Sequence, residues 1–142
     1  MIIVAAWMYI ETMLDGGTVI SVEPDKTHIF MQHKHGRDSQ MWRLEHDGCL
    51  RNKAHMDRCL GIGDNAQGAV PSLYKDEELL DIERWKYTND YYLENLAGPN
   101  GIWNHLSLNV IWADVPLITD GAGINVWHQD NTLSMKWRFV SP

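Results

Sequence analysis

An all-β fold made of three four-stranded units is what the sequence predicts, and three observations predict it. Short runs of strand formers alternate with Gly, Pro, Asn and Asp breakers at intervals of about 8–12 residues, the rhythm of sandwiches and barrels. A tryptophan-centred segment recurs as Gln40-Met41-Trp42-Arg43-Leu44, Glu83-Arg84-Trp85-Lys86-Tyr87 and Met135-Lys136-Trp137-Arg138-Phe139. Between these recurrences the same succession of strand, turn and strand repeats, and an internal repeat governs the reading of everything else in a chain.

The first unit runs from Trp7 to Glu45. Met8-Tyr9-Ile10-Glu11-Thr12 is rich in strand formers and stops at the turn Leu14-Asp15-Gly16-Gly17. Thr18-Val19-Ile20-Ser21-Val22 follows, then the breaker Glu23-Pro24-Asp25-Lys26, then Ile29-Phe30-Met31-Gln32, and the unit closes on Trp42. The second unit, Asp47 to Tyr87, opens after Asp47-Gly48 with Cys49-Leu50-Arg51-Asn52. It continues with Arg58-Cys59-Leu60-Gly61-Ile62 and Val70-Pro71-Ser72-Leu73-Tyr74, and closes on Trp85. The third unit, Tyr91 to Val140, has Tyr92-Leu93-Glu94-Asn95, His105-Leu106-Ser107-Leu108 and Ile124-Asn125-Val126-Trp127, and closes on Trp137. The window Lys75 to Ile82 is the one helix-like stretch; it is too short for a stable helix and reads as a helical turn inside a loop. Four strands three times over is the plan of a β-trefoil, a short barrel closed beneath by three hairpins. The expectation is one such domain over residues 1–142.

The tryptophans are spaced unequally, 43 positions from Trp42 to Trp85 and 52 from Trp85 to Trp137. Most of the excess lies in Val110 to Gly123, a long loop that reads either as functional or as an insertion at a tolerant surface position.

Bulk chemistry excludes several partner classes. Twelve basic against nineteen acidic residues leave a net charge of −7, which works against nucleic acid and anionic membrane surfaces. No apolar run approaches spanning length, so membrane insertion is not expected. The opening Met1-Ile2-Ile3-Val4-Ala5-Ala6-Trp7 lacks the basic start of a signal peptide. The reading is a cytoplasmic protein or a domain of a longer one. Seven Trp against two Phe make tryptophan the large core residue or a binding platform.

No catalytic motif or phosphate loop is present, and Gly121-Ala122-Gly123 precedes a strand where a dinucleotide turn needs a helix. Neither enzymatic activity nor a cofactor is expected. His28, His33 and His35 with Asp38 form a histidine-rich patch, weighed as a metal site and as exposed polar residues on an edge, the latter preferred. Cys49, His55 and Cys59 were weighed in the same way. The hairpin register makes the two cysteines offset neighbours, and Cys59 is expected to pack as a small apolar residue.

The block Gln40 to Ile62 carries Gln40-Met41-Trp42, Asp47-Gly48, Leu50-Arg51-Asn52 and Cys59-Leu60 in the order and spacing of QxW, DG, IRN and CL elements. In these residues the chain resembles the R-type, ricin B-chain-like lectin domain, and the resemblance extends in weaker form over nearly the whole length. It implies carbohydrate recognition without catalysis, galactose-type sugars being favoured, with glycans or glycoconjugates as partners. In this family each unit offers a shallow pocket: an acid on the second strand, an aromatic ending the third strand, a polar residue two before it, and another just before the QxW glutamine. Carried onto this chain, the first unit has Ser21, then Phe30 and Gln32, then Ser39. The second has Gly61, then Ser72 and Tyr74, then Ile82, with Asp64 or Asn65 as substitutes for the missing acid. The third has Ser107, then Asn125 and Trp127, then Ser134, with His128 and Asp130 adjacent, and is the favoured site. Several such units permit multivalent binding. The usual disulfide partner of Cys59 is replaced near Asp76 or Glu77. Two other readings stay open: a protein-interaction scaffold, homodimer included, using an apolar patch around Trp103 and Trp112; and a carbohydrate-targeting module of a longer enzyme or toxin.

Overall fold

The computed structural model describes residues 2–15, 17–22, 27–77, 79–97, 106–111 and 120–142. Twelve strands lie within these residues: β1 (Val4–Thr12), β2 (Thr18–Val22), β3 (Ile29–His33), β4 (Trp42–Leu44), β5 (Leu50–Asn52) and β6 (His55–Ile62) come first. They are followed by β7 (Pro71–Lys75), β8 (Trp85–Tyr87), β9 (Leu93–Asn95), β10 (Leu106–Val110), β11 (Ile124–His128) and β12 (Trp137–Val140). All four strands of each expected unit are present. Among the described residues of the helix-like window only those in the 3-10 turn Asp81–Glu83 are helical, and Lys75 belongs to β7. Equivalent turns at Asp38–Gln40 and Leu133–Met135 precede the other two tryptophans. Three residues are too few for any periodic signal, so these turns left no pattern to read. The forecast turn residues Gly16 and 23–26, the strand start at His105, and the patch around Trp103 and Trp112 lie outside the described residues.

Pairing divides the strands into staves and hairpins. β1, β4 and β5 pair in succession, β12 pairs with β1, and β8 pairs with β9. The Trp85 N–H donates to Gly48 O at 2.8 Å and the Trp137 N–H to Tyr91 O at 2.9 Å, tying β8 and β12 to the turns before β5 and β9. The hairpins β2–β3, β6–β7 and β10–β11 form the cap. They interlock cyclically, each third strand donating to the segment before the third strand of a neighbouring unit. Leu73 N–H donates to Thr27 O (3.1 Å), Val126 N–H to Ala69 O (2.9 Å), and Met31 N–H to Ala122 O (2.9 Å). The pseudo-threefold relation is thus written in the backbone hydrogen bonds, and the chain is a β-trefoil.

Trp42, Trp85 and Trp137 are completely buried, in one core with Ile20, Leu60 and Leu108. Each indole N–H donates to a carbonyl of the second strand of its unit: Ile20 O (3.0 Å), Leu60 O (2.7 Å) and Leu108 O (3.0 Å). One residue type therefore fills the centre and satisfies a buried carbonyl, which explains why it recurs. The buried amide of Gln40 accepts from the His35 N–H and donates to Ser21 Oγ (2.9 Å) and His33 O (2.8 Å). Met135 stands at the matching place in the third unit and offers no amide. Gln129, in the loop after β11, takes over, donating to Ser107 Oγ (3.1 Å) and Glu94 Oε1 (2.6 Å). Asn52 and Asn95 close the first turn of the second and third units, donating to Ser39 O and Ile82 O while accepting from Ala54 and Ala97.

The Asp-Gly turn shows why glycine is wanted there. Gly48 has φ +89°, and a Cβ would lie 3.0 Å from Arg84 Cβ and 3.2 Å from Trp85 O. Tyr91, at the matching place, adopts φ +70° despite its side chain. A left-handed conformation costs a non-glycine residue about 1–2 kcal/mol, partly offset by the lower unfolded-state entropy of tyrosine. Because Tyr91 is half exposed, Tyr91→Gly is expected to raise stability by about 0.5–1 kcal/mol. A thermal melt checks this, and a lowered midpoint would mean that the ring contributes more than the backbone loses.

One expectation needs correction: Cys59 is not a lone apolar packer but forms a disulfide with Cys49. Arg51 is the register partner of Cys59, so Cys49 lies one pleat along on the same face. The Cα–Cα distance across this diagonal is 5.3 Å, inside the range a disulfide spans. Asp76, near the place of the family's usual partner, instead bonds Arg51 at 2.8 Å. Arg51 and Arg43 also converge on Glu45. Burial pushes the Glu45 carboxyl up, but the hydrogen bonds from Arg51 and Arg43 outweigh it and hold it below the usual glutamate value.

Candidate functional site

The cleft favoured by the sequence is present on the third unit. Strand alternation along β11 buries Ile124 and Val126 and turns Asn125 and Trp127 to the outer face. Across the hairpin, Asn109 of β10 is the direct register partner of Asn125, and its Nδ2 donates to Asn125 Oδ1 at 2.9 Å. The loop leading to the 3-10 turn Leu133–Met135 adds Asp130, Thr132 and Ser134 to the lining. Together with Val110 and Ile111 these residues line a cleft of 350 Å³, within the size of small-ligand sites.

The polar wall is preorganised. Asp130 Oδ1 accepts from Thr132 N–H (3.1 Å) and Thr132 Oγ1 (2.7 Å), and Thr132 Oγ1 lies 2.9 Å from Ser134 Oγ. Asn131, between them, sits at φ +65°, a conformation asparagine tolerates, and its N–H donates to Tyr92 Oη at 3.0 Å. Trp127 is supported from the second unit, where a Cβ on Gly68 would lie 3.8 Å from Trp127 Cζ3 and the Gly68 N–H donates to Val126 O at 2.8 Å.

Four expected residues, Asn125, Trp127, Asp130 and Ser134, thus come together. Two others on the same unit do not. Ser107 shares a face of β10 with Asn109 but is fully buried beneath Gln129. His128 points to the opposite side of β11 from Trp127; its N–H donates to Gln67 Oε1 (2.9 Å), and its ring Nδ1 lies 2.8 Å from Gln67 Nε2. Asp130, in the loop after β11, lines the cleft with a carboxylate. Sequence reasoning missed Asn109, Val110, Ile111 and Thr132. Period-two alternation from Ser107 leads directly to Asn109, and that was the available signal.

The other two units are arranged differently. Ser21 is fully buried and accepts from Gln40, so it belongs to the core. Gln32 and Phe30 are half-buried on the outer face of β3. In the second unit the place of the acid is occupied: a Cβ on Gly61 would lie 2.8 Å from Glu83 Cγ and 3.0 Å from Tyr74 Cδ2. Tyr74 lies over its own strand pair, and Ser72 Oγ is directed to Thr27 Oγ1 (2.8 Å) and Thr27 O. Asp64 is exposed in the loop after β6, with Asn65 half-buried beside it. In the histidine-rich patch, His33 Nδ1 lies 2.7 Å from Asp120 Oδ1, and His35 Nδ1 accepts from the Arg37 N–H. The hydrogen bonds from His33 hold the Asp120 carboxyl below its usual range.

A family profile, the ricin-type beta-trefoil lectin domain, matches residues 6–103. No curated protein matches the sequence. Solved structures resemble the fold closely. The β-trefoil lectin of the Vibrio vulnificus hemolysin/cytolysin, bound to N-acetyl-D-lactosamine, superposes with a TM-score of 0.75 at 16% identity, covering 96% of this chain and 94% of that one. The C-half of the earthworm R-type lectin, in complex with GalNAc, gives 0.73 at 17% identity, covering 96% and 99%. The Macrolepiota procera ricin B-like lectin, in complex with lactose, gives 0.74 at 20% identity, covering 100% and 99%.

Proposed function

Because this chain belongs to the ricin-type β-trefoil lectin family, we propose that its third-unit cleft binds a galactose-type saccharide reversibly, without breaking a bond. The observation that carries this reading is the convergence of a half-buried tryptophan with Asn109, Asn125, Asp130, Thr132 and Ser134 around one cleft. An indole face suits the apolar face of a pyranose, and fixed polar groups in the same cleft suit the hydroxyls. Asp130 supplies the charged acceptor: Thr132 occupies Oδ1, and among the described residues no partner holds Oδ2. The three solved relatives carry N-acetyl-D-lactosamine, GalNAc and lactose, sugars that all contain a galactose-configured ring. Asp130 is the only carboxylate among the described residues lining the cleft, which favours recognition over paired acid–base chemistry. With Ser21 in the core and Gly61 covered, binding is assigned to the third unit first, with Tyr74 as the aromatic of a second, weaker position.

Isothermal titration with lactose tests the reading. The Trp127→Ala variant is expected to bind at least about tenfold more weakly, equivalent to about 1.4 kcal/mol, with an unchanged circular dichroism spectrum. Retained affinity in that variant would remove the third-unit site.

A further inference from the structure

We infer that charges buried where each first strand meets its cap hairpin form an addressing device: they stop the middle unit from trading its hairpin with either neighbour as the chain folds. The inference does not depend on what the third-unit cleft binds.

Register makes Glu11, Arg51 and Glu94 equivalent. Each lies on a first strand, one residue before the partner of a core tryptophan, opposite Arg138, Arg43 and Lys86 respectively. All three are buried. In each unit the residue that follows the third strand reaches back to them. Lys34 is ion-paired with Glu11, Asp76 Oδ2 lies 2.8 Å from Arg51 Nη1, and Gln129 Nε2 donates to Glu94 Oε1 at 2.6 Å. The geometry repeats and the sign does not. The first unit has an acid on the strand and a base on the hairpin, the second has the reverse, and the third has an acid with a neutral amide. The tryptophan strands supply a base at every joint. That base suits Glu11, which Arg138 approaches at 3.1 Å, and Glu94, which Lys86 approaches at 2.9 Å. It would repel Arg51, and there Glu45 accepts from both Arg43 (2.6 Å) and Arg51 (3.0 Å). Thr88 holds the place of Glu45 after Trp85, its N–H donating to Tyr92 O as that of Glu45 donates to Cys49 O. The reversal in the middle unit thus involves three side chains that match one another.

The three cap hairpins share one antiparallel pairing and interlock cyclically, so their backbones do not specify which hairpin belongs on which first strand. The charges do. The β6–β7 hairpin placed over β1 or β9 would set Asp76 against buried Glu11 or Glu94. The β2–β3 hairpin placed over β5 would set Lys34 against Arg51. Like charges held together in partly desolvated surroundings repel, whereas the native pairs attract. The first and third hairpins carry a base and an amide, and both suit an acid, so the middle unit is the one excluded from exchange. Its correct placing matters for the third-unit cleft, because Gly68, between β6 and β7, donates to Val126 O at 2.8 Å and lies beside the Trp127 ring.

Thermal melting and refolding of the whole chain, with the disulfide intact, test the device. Arg51→Glu alone sets a third acid beside Glu45 and Asp76, and Asp76→Lys alone sets another base beside Arg51. Each is expected to lower the melting midpoint by about 5 °C or more. The triple variant Arg51→Glu, Asp76→Lys, Glu45→Thr gives the middle unit the charge pattern of the first, and is expected to recover at least about half of that loss. Its yield of native monomer on rapid dilution from urea, well below its midpoint, is expected to fall about twofold or more, because every first strand then accepts any hairpin. Arg51→Met with Asp76→Leu removes the address while keeping the volume. It is expected to melt near the unaltered chain and to lose yield in the same way. A triple variant as unstable as the single ones would overturn the equivalence of the three joints. Full refolding yield in both the triple variant and the apolar pair would overturn the addressing role and leave Arg51–Asp76 an ordinary ion pair.

Discussion

Replacing Trp85 with alanine is expected to lower the unfolding free energy by about 3–5 kcal/mol. That is a large part of the roughly 5–15 kcal/mol that typical domains have in total. The indole is completely buried and shares one core with its two counterparts, so the cavity opens where all three units meet. The same change removes the donor to Leu60 O, leaving a carbonyl deep in the barrel without its 2.7 Å hydrogen bond. A Trp85→Phe variant separates the two effects. It keeps most of the volume, loses the donor, and is expected to cost about 1–2 kcal/mol. Urea unfolding of both variants reads the difference directly. A loss below about 1 kcal/mol for the alanine variant would contradict a core shared among the units.

Loss of the Cys49–Cys59 cross-link is expected to cost about 2–3 kcal/mol, the loop-closure entropy for a separation of ten residues. Both cysteines are completely buried, so a reductant reaches them only when the hairpin opens. The double variant Cys49→Ala with Cys59→Ala is therefore the cleaner comparison, and the midpoint of its unfolding curve is expected to fall. Alkylation of the unfolded, unreduced protein checks the bond itself: two labelled thiols would show that the cross-link is absent. The cross-link joins β6 to the turn carrying Gly48, and Gly48 O accepts from the Trp85 N–H. Its removal and the Trp85 substitution are thus expected to couple, which a double-mutant cycle would register.

The trefoil was legible because its determinants are local and repeated. Three tryptophans at domain-scale intervals, each opening a strand that follows a short turn, announce the architecture without knowledge of a single contact. Tryptophan suits this place because it fills the centre and donates to a second-strand carbonyl. Asp-Gly before β5 announces a left-handed turn that Gly48 adopts. The 3-10 turns were invisible except in the second unit, because three residues carry no period. The substitute for Gln40 in the third unit was invisible for a different reason. Gln129 lies outside the repeat pattern and reaches Ser107 only through the folded hairpin.

The site divides along the same line. The resemblance implied Asn125 and Trp127, and strand alternation in β11 does turn both to the half-buried outer face. Ser107 and Ser21 lie under Gln129 and Gln40, which position along a strand could not reveal. His128 faces Gln67 and not the cleft because adjacency in sequence is opposition in a strand. Asn109, Val110, Ile111 and Thr132 enter the cleft through hairpin register and loop approach, which are tertiary facts.

By itself, then, the sequence determined the number of units, the kind of strands and the three core tryptophans, and its resemblance to a family pointed to Trp127. The first three follow from period, propensity and burial chemistry acting within a dozen residues. Only the tertiary structure decided which polar groups share the cleft with Trp127, which serines are sealed beneath glutamines, and that the cysteines join. These depend on groups brought together from distant parts of the chain, and strand alternation carries no information about what arrives from the other side.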